Sequence, residues 1–184
     1  MREIADAADL SPANLYHYFR GKDEILFYCQ DRTLDRLLAS VAGAKRASRD
    51  AGDRLASVLA AHVRTLIDDV EGATAHLEVG ALPPGLRDRI VAKRDRYERA
   101  VRRLVGDGIA TGDFVPLDRA IVTRAMLGAL NWTVTWFRPE GPTSGAEVAM
   151  TIASFLVRGI SVRPRPTRSP LQMVAAHDAA RESS

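Results

Sequence analysis

Residues 10–26, LSPANLYHYFRGKDEIL, concentrate side chains that hydrogen-bond to bases and phosphates. Ser11 is a good N-cap and Pro12 suits the first position of a helix, so a helix is predicted to start here. Asn14 can pair with adenine in a major groove, while tyrosine and histidine side chains can contact phosphate oxygens. Lys22 adds a cation where the next helix begins. The residues that we predict to contact DNA are Ser11, Pro12, Ala13, Asn14, Tyr16, His17, Tyr18 and Lys22.

Two short helices with a tight joint would position these side chains. REIADAADL and SPANLYHYF carry small or apolar residues on the sides that would cross, which is typical of a helix-turn-helix unit. A generic helical hairpin with a solvated polar face is the alternative interpretation. Residues 1–40 carry five basic and seven acidic side chains, and this net charge of −2 is poor for binding DNA on its own.

The segment IADAADLSPANLYHYFRGKDEIL resembles the DNA-binding head of TetR-type transcriptional repressors. Its match to the pattern LY-x-[HY]-F-x-x-K-x-x-L includes Leu15, Tyr16, Tyr18, Phe19 and Lys22. The resemblance implies a dimeric repressor that binds a palindromic operator and is released by a ligand. It also implies a head of three helices, so residues 1–21 would be a remnant that lacks the first one. The alternative is a dimeric small-molecule binding protein without DNA-binding activity.

Helical periodicity recurs through the rest of the chain, and no stretch alternates apolar and polar residues as a strand would. The predicted fold class is all-α, with an incomplete helix-turn-helix head joined to a helical body for ligand binding and dimerisation. The body covers residues 22–162, and a helix over residues 22–44 connects it to the head. Three prolines and several polar residues within 163–184 predict a disordered tail.

Two helices near the C-terminal end of the body are apolar almost all round. RAIVTRAMLGALNWTVTWF and AEVAMTIASFLVRGI would each need cover on more than one side, which two copies of the chain would supply as a four-helix interface. Two core helices of a monomer are the alternative. The predicted interface residues are Ala125, Gly128, Ala129, Ile152, Phe155 and Leu156.

The predicted ligand pocket lies in the same body. Apolar walls with a few polar groups are typical of small-molecule sites, although an ordinary core has the same pattern. NWTVTWFRPEG resembles the TetR-type subgroup that controls fatty-acid or steroid breakdown, which implies a hydrophobic effector such as an acyl-CoA thioester. Eight basic residues between Arg87 and Arg103 would meet its phosphates, unless they form an ordinary solvated face. The predicted pocket residues are Leu66, Leu82, Tyr97, Met126, Leu130, Asn131, Trp132, Thr135, Trp136 and Arg138.

Other kinds of chemistry have little support in the sequence. His62, His76 and Glu78 lack the i, i+4 spacing of a helical metal site, and no phosphate loop or nucleophile elbow occurs. We therefore expect no metal, no cofactor and no enzymatic activity. A single cysteine, no signal peptide pattern and no apolar run of about 18 residues predict a cytoplasmic protein with no membrane partner.

Overall fold

The computed structural model describes residues 17–68 and 79–162. These ranges contain five complete α-helices, and their one β-type contact is an isolated bridge between Phe114 and Ser161, so the predicted all-α fold is confirmed. The helices are α1 (Lys22–Ala47), α2 (Ala51–Ile67), α3 (Pro84–Ala110), α4 (Arg119–Trp136) and α5 (Gly145–Arg158), with a short 3-10 helix at Val79–Ala81. Ser11, Pro12, Ala13, Asn14, Tyr16 and the predicted tail over 163–184 lie outside the described residues. Within the described ranges, no helix has the length and apolar character needed to cross a membrane.

Polar side chains cap three of these helices at their N-termini. Asp50 accepts a hydrogen bond from a first-turn N–H of α2 at 2.8 Å. Asp118 accepts from two first-turn N–H groups of α4 at 2.7 and 3.1 Å, and Ser144 caps α5 at 3.2 Å. Pro84 begins α3, where the missing N–H costs no intrahelical bond. These residues satisfy donors that have no partner within the helix, so they define where each helix starts.

Helix α2 lies at the centre of the body and packs against α1, α3, α4 and α5. Its inner face carries Leu55, Val58, Leu59 and Val63, which are all fully buried. Their spacing of three and four residues puts them on one side of the helix. The buried residues of the neighbouring helices include Leu34, Leu37, Ile90, Val101, Leu104, Leu130, Ala149 and Ala153.

The connector between α3 and α4 packs against the end of α5. The backbone N–H of Val115 donates to the carbonyl of Ile160 at 2.8 Å. Phe114 is buried against Gly108, where a Cβ atom would lie 2.2 Å from the phenylalanine ring. Glycine is therefore needed at position 108 to let the connector return closely along α3.

Candidate ligand-binding site

A cavity of about 320 Å³ opens between α1, α2, α3 and α4. Its size lies at the lower end of the range for small-molecule pockets. Helix α1 supplies two leucines to the wall, α2 supplies a histidine, and α3 supplies most of the charged groups. The residues that line this cavity are Leu34, Leu37, His62, Arg94, Asp95, Tyr97, Glu98, Arg124, Leu127, Gly128 and Asn131.

Three hydrogen-bonded side chains from three helices form part of the cavity wall. Nδ1 of His62 lies 3.0 Å from the Tyr97 hydroxyl, and Nε2 lies 3.1 Å from Oδ1 of Asn131. His62 and Tyr97 are each only 3 % exposed. Because the amide oxygen of Asn131 only accepts, Nε2 of His62 is assigned as the donor to it, and in that tautomer Nδ1 accepts the hydrogen bond that the Tyr97 hydroxyl donates.

Burial also controls the ionisation of this group. Desolvation raises the pKa of Tyr97 well above its usual value of 10.0, because the phenolate form would lose its hydration. The hydroxyl therefore remains a hydrogen-bond donor throughout the physiological pH range. The cavity wall presents fixed polar groups beside leucine side chains, which suits a ligand with both a polar group and an apolar part.

Charged side chains lie on the solvent side of the cavity. Oε1 of Glu98 is 3.8 Å from Nη1 of Arg102 and 3.7 Å from Nε of Arg124, so it links α3 to α4. Desolvation lowers the pKa of the Arg94 guanidinium, which nevertheless keeps its charge because arginine starts from so high a value. Cations from two helices, Arg94 of α3 and Arg124 of α4, thus line the cavity.

Helix α1 bounds the cavity and is fastened to α3 by polar contacts. Nζ of Lys93 lies 2.7 Å from Oδ1 of Asp31 and 2.8 Å from Oδ1 of Asp35. One turn earlier on α3, the Arg89 guanidinium lies 4.4 Å from the centroid of the Phe27 ring. The end of α1 that follows residues 1–21 is therefore held by α3, the same helix that carries Tyr97.

Of the ten predicted pocket residues, two line the cavity and four are buried in the core. Tyr97 and Asn131 line the cavity itself. The other four are buried core residues that do not line it, namely Leu66, Leu82, Met126 and Leu130. The interpretation of an ordinary core, which the pattern left open, therefore applies to these four.

The remaining four predicted pocket residues are exposed on the protomer. Trp132 is 64 % exposed and Trp136 is 48 % exposed, so the prediction that these two rings face an interior cavity is wrong for one protomer. Thr135 and Arg138 are not buried either, and Nη1 of Arg138 donates to the carbonyl of Phe137 at 2.9 Å. Helix α4 is apolar almost all round, so its sequence does not show which side the neighbouring helices cover.

The sequence did not predict His62 as a cavity residue, and it indicated Arg94 only as one of the eight basic residues between Arg87 and Arg103. His62 was considered there only as a metal ligand, because its partners lie 35 and 69 residues away. One signal did exist, since His62 lies three residues after Leu59 and next to Val63 on the apolar side of α2. A histidine on a buried helix face needs polar partners, and here α3 and α4 supply them.

Helices α4 and α5 leave an apolar face exposed to solvent. Ile121, Trp132 and Phe155 expose 66 %, 64 % and 74 % of their surface. The exposed positions on α4 recur every three or four residues and therefore share one side. None of the predicted interface residues is buried within the protomer, and they are Ala125, Gly128, Ala129, Ile152, Phe155 and Leu156. Gly128 also lines the cavity.

Three of the predicted DNA contacts lie within the described residues. His17, Tyr18 and Lys22 are all exposed, and Tyr18 exposes 69 % of its surface. The rings of His17 and Tyr18 meet edge to face with centroids 5.3 Å apart. Gly21 precedes α1 in an extended conformation, so Lys22 is the first residue of that helix.

Comparison with protein families identifies the class of protein that carries this site. The model described as "Tetracyclin repressor-like, C-terminal domain" matches residues 48–160, more than half of the chain. The chain belongs to the TetR family of bacterial transcriptional regulators. A second model, described as "Bacterial regulatory proteins, tetR family", matches residues 1–29. This TetR-family protein is thus a regulator and not an enzyme, as the sequence predicted.

Individual relatives agree with this assignment. The HTH-type transcriptional repressor KstR2 of Mycobacterium tuberculosis is 25 % identical over 164 residues, which cover 88 % of this chain and 82 % of KstR2. PfmR, a TetR family transcriptional regulator from Thermus thermophilus, has 32 % identity and a TM-score of 0.76, with 88 % of both chains covered. AibR, solved with isovaleryl coenzyme A and operator DNA, shares the fold at 21 % identity, with a TM-score of 0.67 over 87 % of this chain and 85 % of AibR.

Proposed function

We propose that this protein is a homodimeric repressor that binds a palindromic operator and releases it when an acyl-CoA thioester binds the body. The observation that carries this proposal is the position of α1, which both walls the cavity and follows directly on residues 1–21. A ligand that binds one position of α1 more tightly than another must shift the protein between its two DNA-binding states. The repressor relative KstR2 and the ligand and DNA bound by AibR support this choice.

The length of α1 makes this coupling mechanically reasonable. Leu34 and Leu37 line the cavity, and they lie 12 and 15 residues after Lys22. At a rise of 1.5 Å per residue, that separation is roughly 20 Å along the helix axis. A tilt of about 5° at the cavity would therefore displace the start of α1 by about 2 Å. In a dimer the two displacements add or cancel, and they change the distance between the two DNA-reading helices.

The DNA contacts in this proposal come from the segment that starts at Ser11. Asn14 and its neighbours Pro12 and Ala13 would face base edges in the major groove. The remaining side chains would hold phosphates, which fixes the position of the helix but carries no sequence information. The residues assigned to phosphate contacts are Tyr16, His17, Tyr18 and Lys22, and the last three are exposed in the structure.

In this proposal the acyl part of the ligand lies inside the cavity and the coenzyme A moiety lies outside it. A volume of about 320 Å³ suits an acyl group beside Leu34, Leu37 and Leu127. The His62, Tyr97 and Asn131 group would bind the polar end of that acyl part. Arg94 and Arg124 place positive charge where a coenzyme A moiety would leave the cavity.

The dimer in this proposal is formed by the exposed apolar face of α4 and α5. Trp132 on α4 and Phe155 on α5 are large apolar side chains that a soluble monomer would seldom expose to this extent. A two-fold axis through this face would pair α4 and α5 of one protomer with those of its partner. The two heads would then read half-sites about 34–36 Å apart or a multiple of that distance.

The test begins with selection of binding sites from random duplex DNA by the protein of 184 residues. Fluorescence anisotropy then measures affinity for the selected palindrome while acyl-CoAs of graded chain length, from short to long, are titrated. We expect one length range to release the DNA. Asn131→Leu should keep DNA affinity but lose sensitivity to the thioester. Thr135→Val is the matched control, because Thr135 lies one turn further along α4 and does not line the cavity.

Two outcomes would contradict separate parts of the proposal. If no palindrome is enriched, the repressor assignment for this chain fails. If a palindrome is bound but no thioester of any length releases it, the effector class is wrong and the DNA-binding part stands.

A further inference from the structure

A second cavity, of about 440 Å³, lies between the C-terminal half of α3 and the start of α4. It is open to solvent and carries four guanidinium groups and one carboxylate. The residues that line it are Arg99, Arg102, Arg103, Asp118, Arg119 and Ala120. Arg119 begins α4 and was not part of the basic stretch noted in the sequence, so only the fold brings it to the other three arginines.

The carboxylate of this cavity accepts hydrogen bonds from the backbone of α4. Asp118 accepts hydrogen bonds from the N–H groups of Ala120 and Ile121, at 2.7 and 3.1 Å. The hydrogen bond from the Ile121 N–H contributes most to lowering the pKa of Asp118, and the one from Ala120 comes next. The charges of Arg124 and Arg102 lower this pKa further. Its negative charge therefore serves mainly as the N-cap of α4 and offsets only part of the local positive charge.

Three of the four arginines lack an acidic partner among the described residues. The one ion pair in this cavity joins Arg102 to Glu98 at 3.8 Å, and Arg99, Arg103 and Arg119 make none within residues 17–68 and 79–162. Like charges held together raise the free energy of the empty site, and an anion relieves that repulsion. Guanidinium groups bind phosphate oxygens through paired hydrogen bonds, so a phosphate group is the best match.

Packing also positions Arg119 toward α3. A Cβ atom at Gly106 would lie 3.2 Å from Nη1 and 3.5 Å from Cδ of Arg119, so the side chain lies directly over this glycine. A larger residue at position 106 would push the Arg119 side chain away from the α3 surface. The position of Arg119 in the cluster is thus set by the packing of α4 against α3.

The second cavity adjoins the first one through a single carboxylate. Glu98 lines the first cavity and contacts both Arg124, which also lines the first, and Arg102, which lines the second. Both cavities are therefore lined in part by α3 and α4, with the Glu98 side chain at their boundary.

We propose that the second cavity binds the phosphate groups of the effector, namely the phosphorylated nucleotide end of a coenzyme A thioester whose acyl part occupies the first cavity. This inference rests on the proposed function, and it assigns the phosphate subsite to Arg99, Arg102, Arg103 and Arg119. The first cavity is too small to enclose both the acyl group and a nucleotide, which leaves the charged end outside it. A free nucleotide carries the same phosphate chemistry, so the experiment includes one.

Isothermal titration calorimetry with three probes tests this assignment. The probes are octanoyl-CoA, octanoyl-pantetheine, which lacks the nucleotide and its phosphates, and adenosine 3′,5′-bisphosphate. The double variant Arg99→Gln/Arg103→Gln should bind octanoyl-CoA and the bisphosphate at least about tenfold more weakly, since each charge-assisted hydrogen bond to an anion is worth about that factor. Its affinity for octanoyl-pantetheine should stay within about twofold of wild type.

A matched control separates this effect from a general loss of positive charge. Arg87→Gln/Arg96→Gln removes the same charge from exposed positions of α3 that line neither cavity. This variant should bind all three probes like the wild type at about 0.15 M salt, where charges outside the site are largely screened.

A second variant should change affinity in the opposite direction. Asp118→Asn removes the one carboxylate of the cavity while asparagine keeps the N-cap of α4. Binding of the bisphosphate and of octanoyl-CoA should become several-fold tighter, and binding of octanoyl-pantetheine should not change. If Asp118 had a purely structural role, replacing it would not strengthen the binding of the phosphorylated probes alone.

The outcomes distinguish this inference from the proposed function. If the arginine double variant weakens octanoyl-CoA and octanoyl-pantetheine equally, or neither, the phosphate subsite is refuted. If no thioester binds but the bisphosphate binds in an arginine-dependent manner, the acyl-CoA proposal fails and the phosphate site stands. If no probe binds the wild type, both are overturned.

Discussion

Replacing Tyr97 by phenylalanine should destabilise the body by about 1–3 kcal/mol. The change removes one hydroxyl, which lies 3.0 Å from Nδ1 of His62, and both residues are 3 % exposed. It removes one buried hydrogen bond between two side chains of the core, and losing one partner of such a bond costs about 1–3 kcal/mol. The ring itself keeps its packing, so no cavity term adds to this cost.

Denaturation at a fixed protein concentration measures the effect, because the apparent stability of the proposed dimer would depend on concentration. For a chain of this size, about 1–3 kcal/mol corresponds to a fall in Tm of roughly 2–12 °C. Tyr28→Phe is the matched control, since Tyr28 is 50 % exposed and its hydroxyl can remain hydrated. We expect the control to change the free energy of unfolding by less than about 0.5 kcal/mol.

The pH dependence provides an independent check on the same residue. Burial raises the pKa of Tyr97 above its usual value of 10.0, so the folded protein keeps the proton that the unfolded chain loses. The contribution is fully present below pH 10 and is lost as the pH rises beyond it, with a limiting slope of about 1.4 kcal/mol per pH unit. The stability difference between wild type and Tyr97→Phe should therefore shrink above pH 10.

Two results would refute this reasoning. Equal stability of Tyr97→Phe and wild type at neutral pH would mean that the contact with His62 contributes nothing. A double-mutant cycle of Tyr97→Phe with His62→Leu measures the interaction free energy between the two side chains. Strictly additive effects of the two changes would also mean that this contact contributes nothing to stability.

Three further predictions concern the dimer face, the α3–α4 connector and the DNA contacts. Phe155→Arg should dissociate the proposed dimer, as measured by sedimentation equilibrium. The control Val91→Arg, at an apolar position of α3 that is 42 % exposed, should leave it intact. A dimer that survives Phe155→Arg would exclude this face as the interface. Gly108→Ala should lower the free energy of unfolding by about 1–3 kcal/mol because its Cβ would overlap the Phe114 ring, and unchanged denaturation would contradict that packing. Lys22→Ala should weaken binding to all DNA sequences and reduce the slope of log K against log salt by about 0.9. Asn14→Ala should instead cost about 1–3 kcal/mol of discrimination at one base pair, and equal weakening on random DNA would exclude base reading.

The sequence by itself determined the elements of this protein. The steps of four residues along Leu55, Leu59 and Val63 indicate a helix, because that geometry places them on one face. The helix-turn-helix pattern around residues 10–26 identified the TetR family, and it does so through local residue types alone. The apolar character of α4 and α5 also indicated surfaces that need cover. All of these signals depend on spacing within about twenty residues.

The tertiary structure decided which of those surfaces meet. Helix α4 is apolar on most sides, and only packing against α2 and α3 turns Met126 and Leu130 inward and leaves Trp132 and Trp136 outside. The contact of His62 with Asn131 joins residues 69 positions apart, and no local pattern records that distance.

The arginine cavity likewise depends on the fold, because Arg119 joins Arg103 only when the connector that follows α3 packs back against Gly108. Periodicity constrains the faces of one helix at a time. A site built from several helices depends on how their faces are oriented toward one another, and that orientation is set by packing of the whole core.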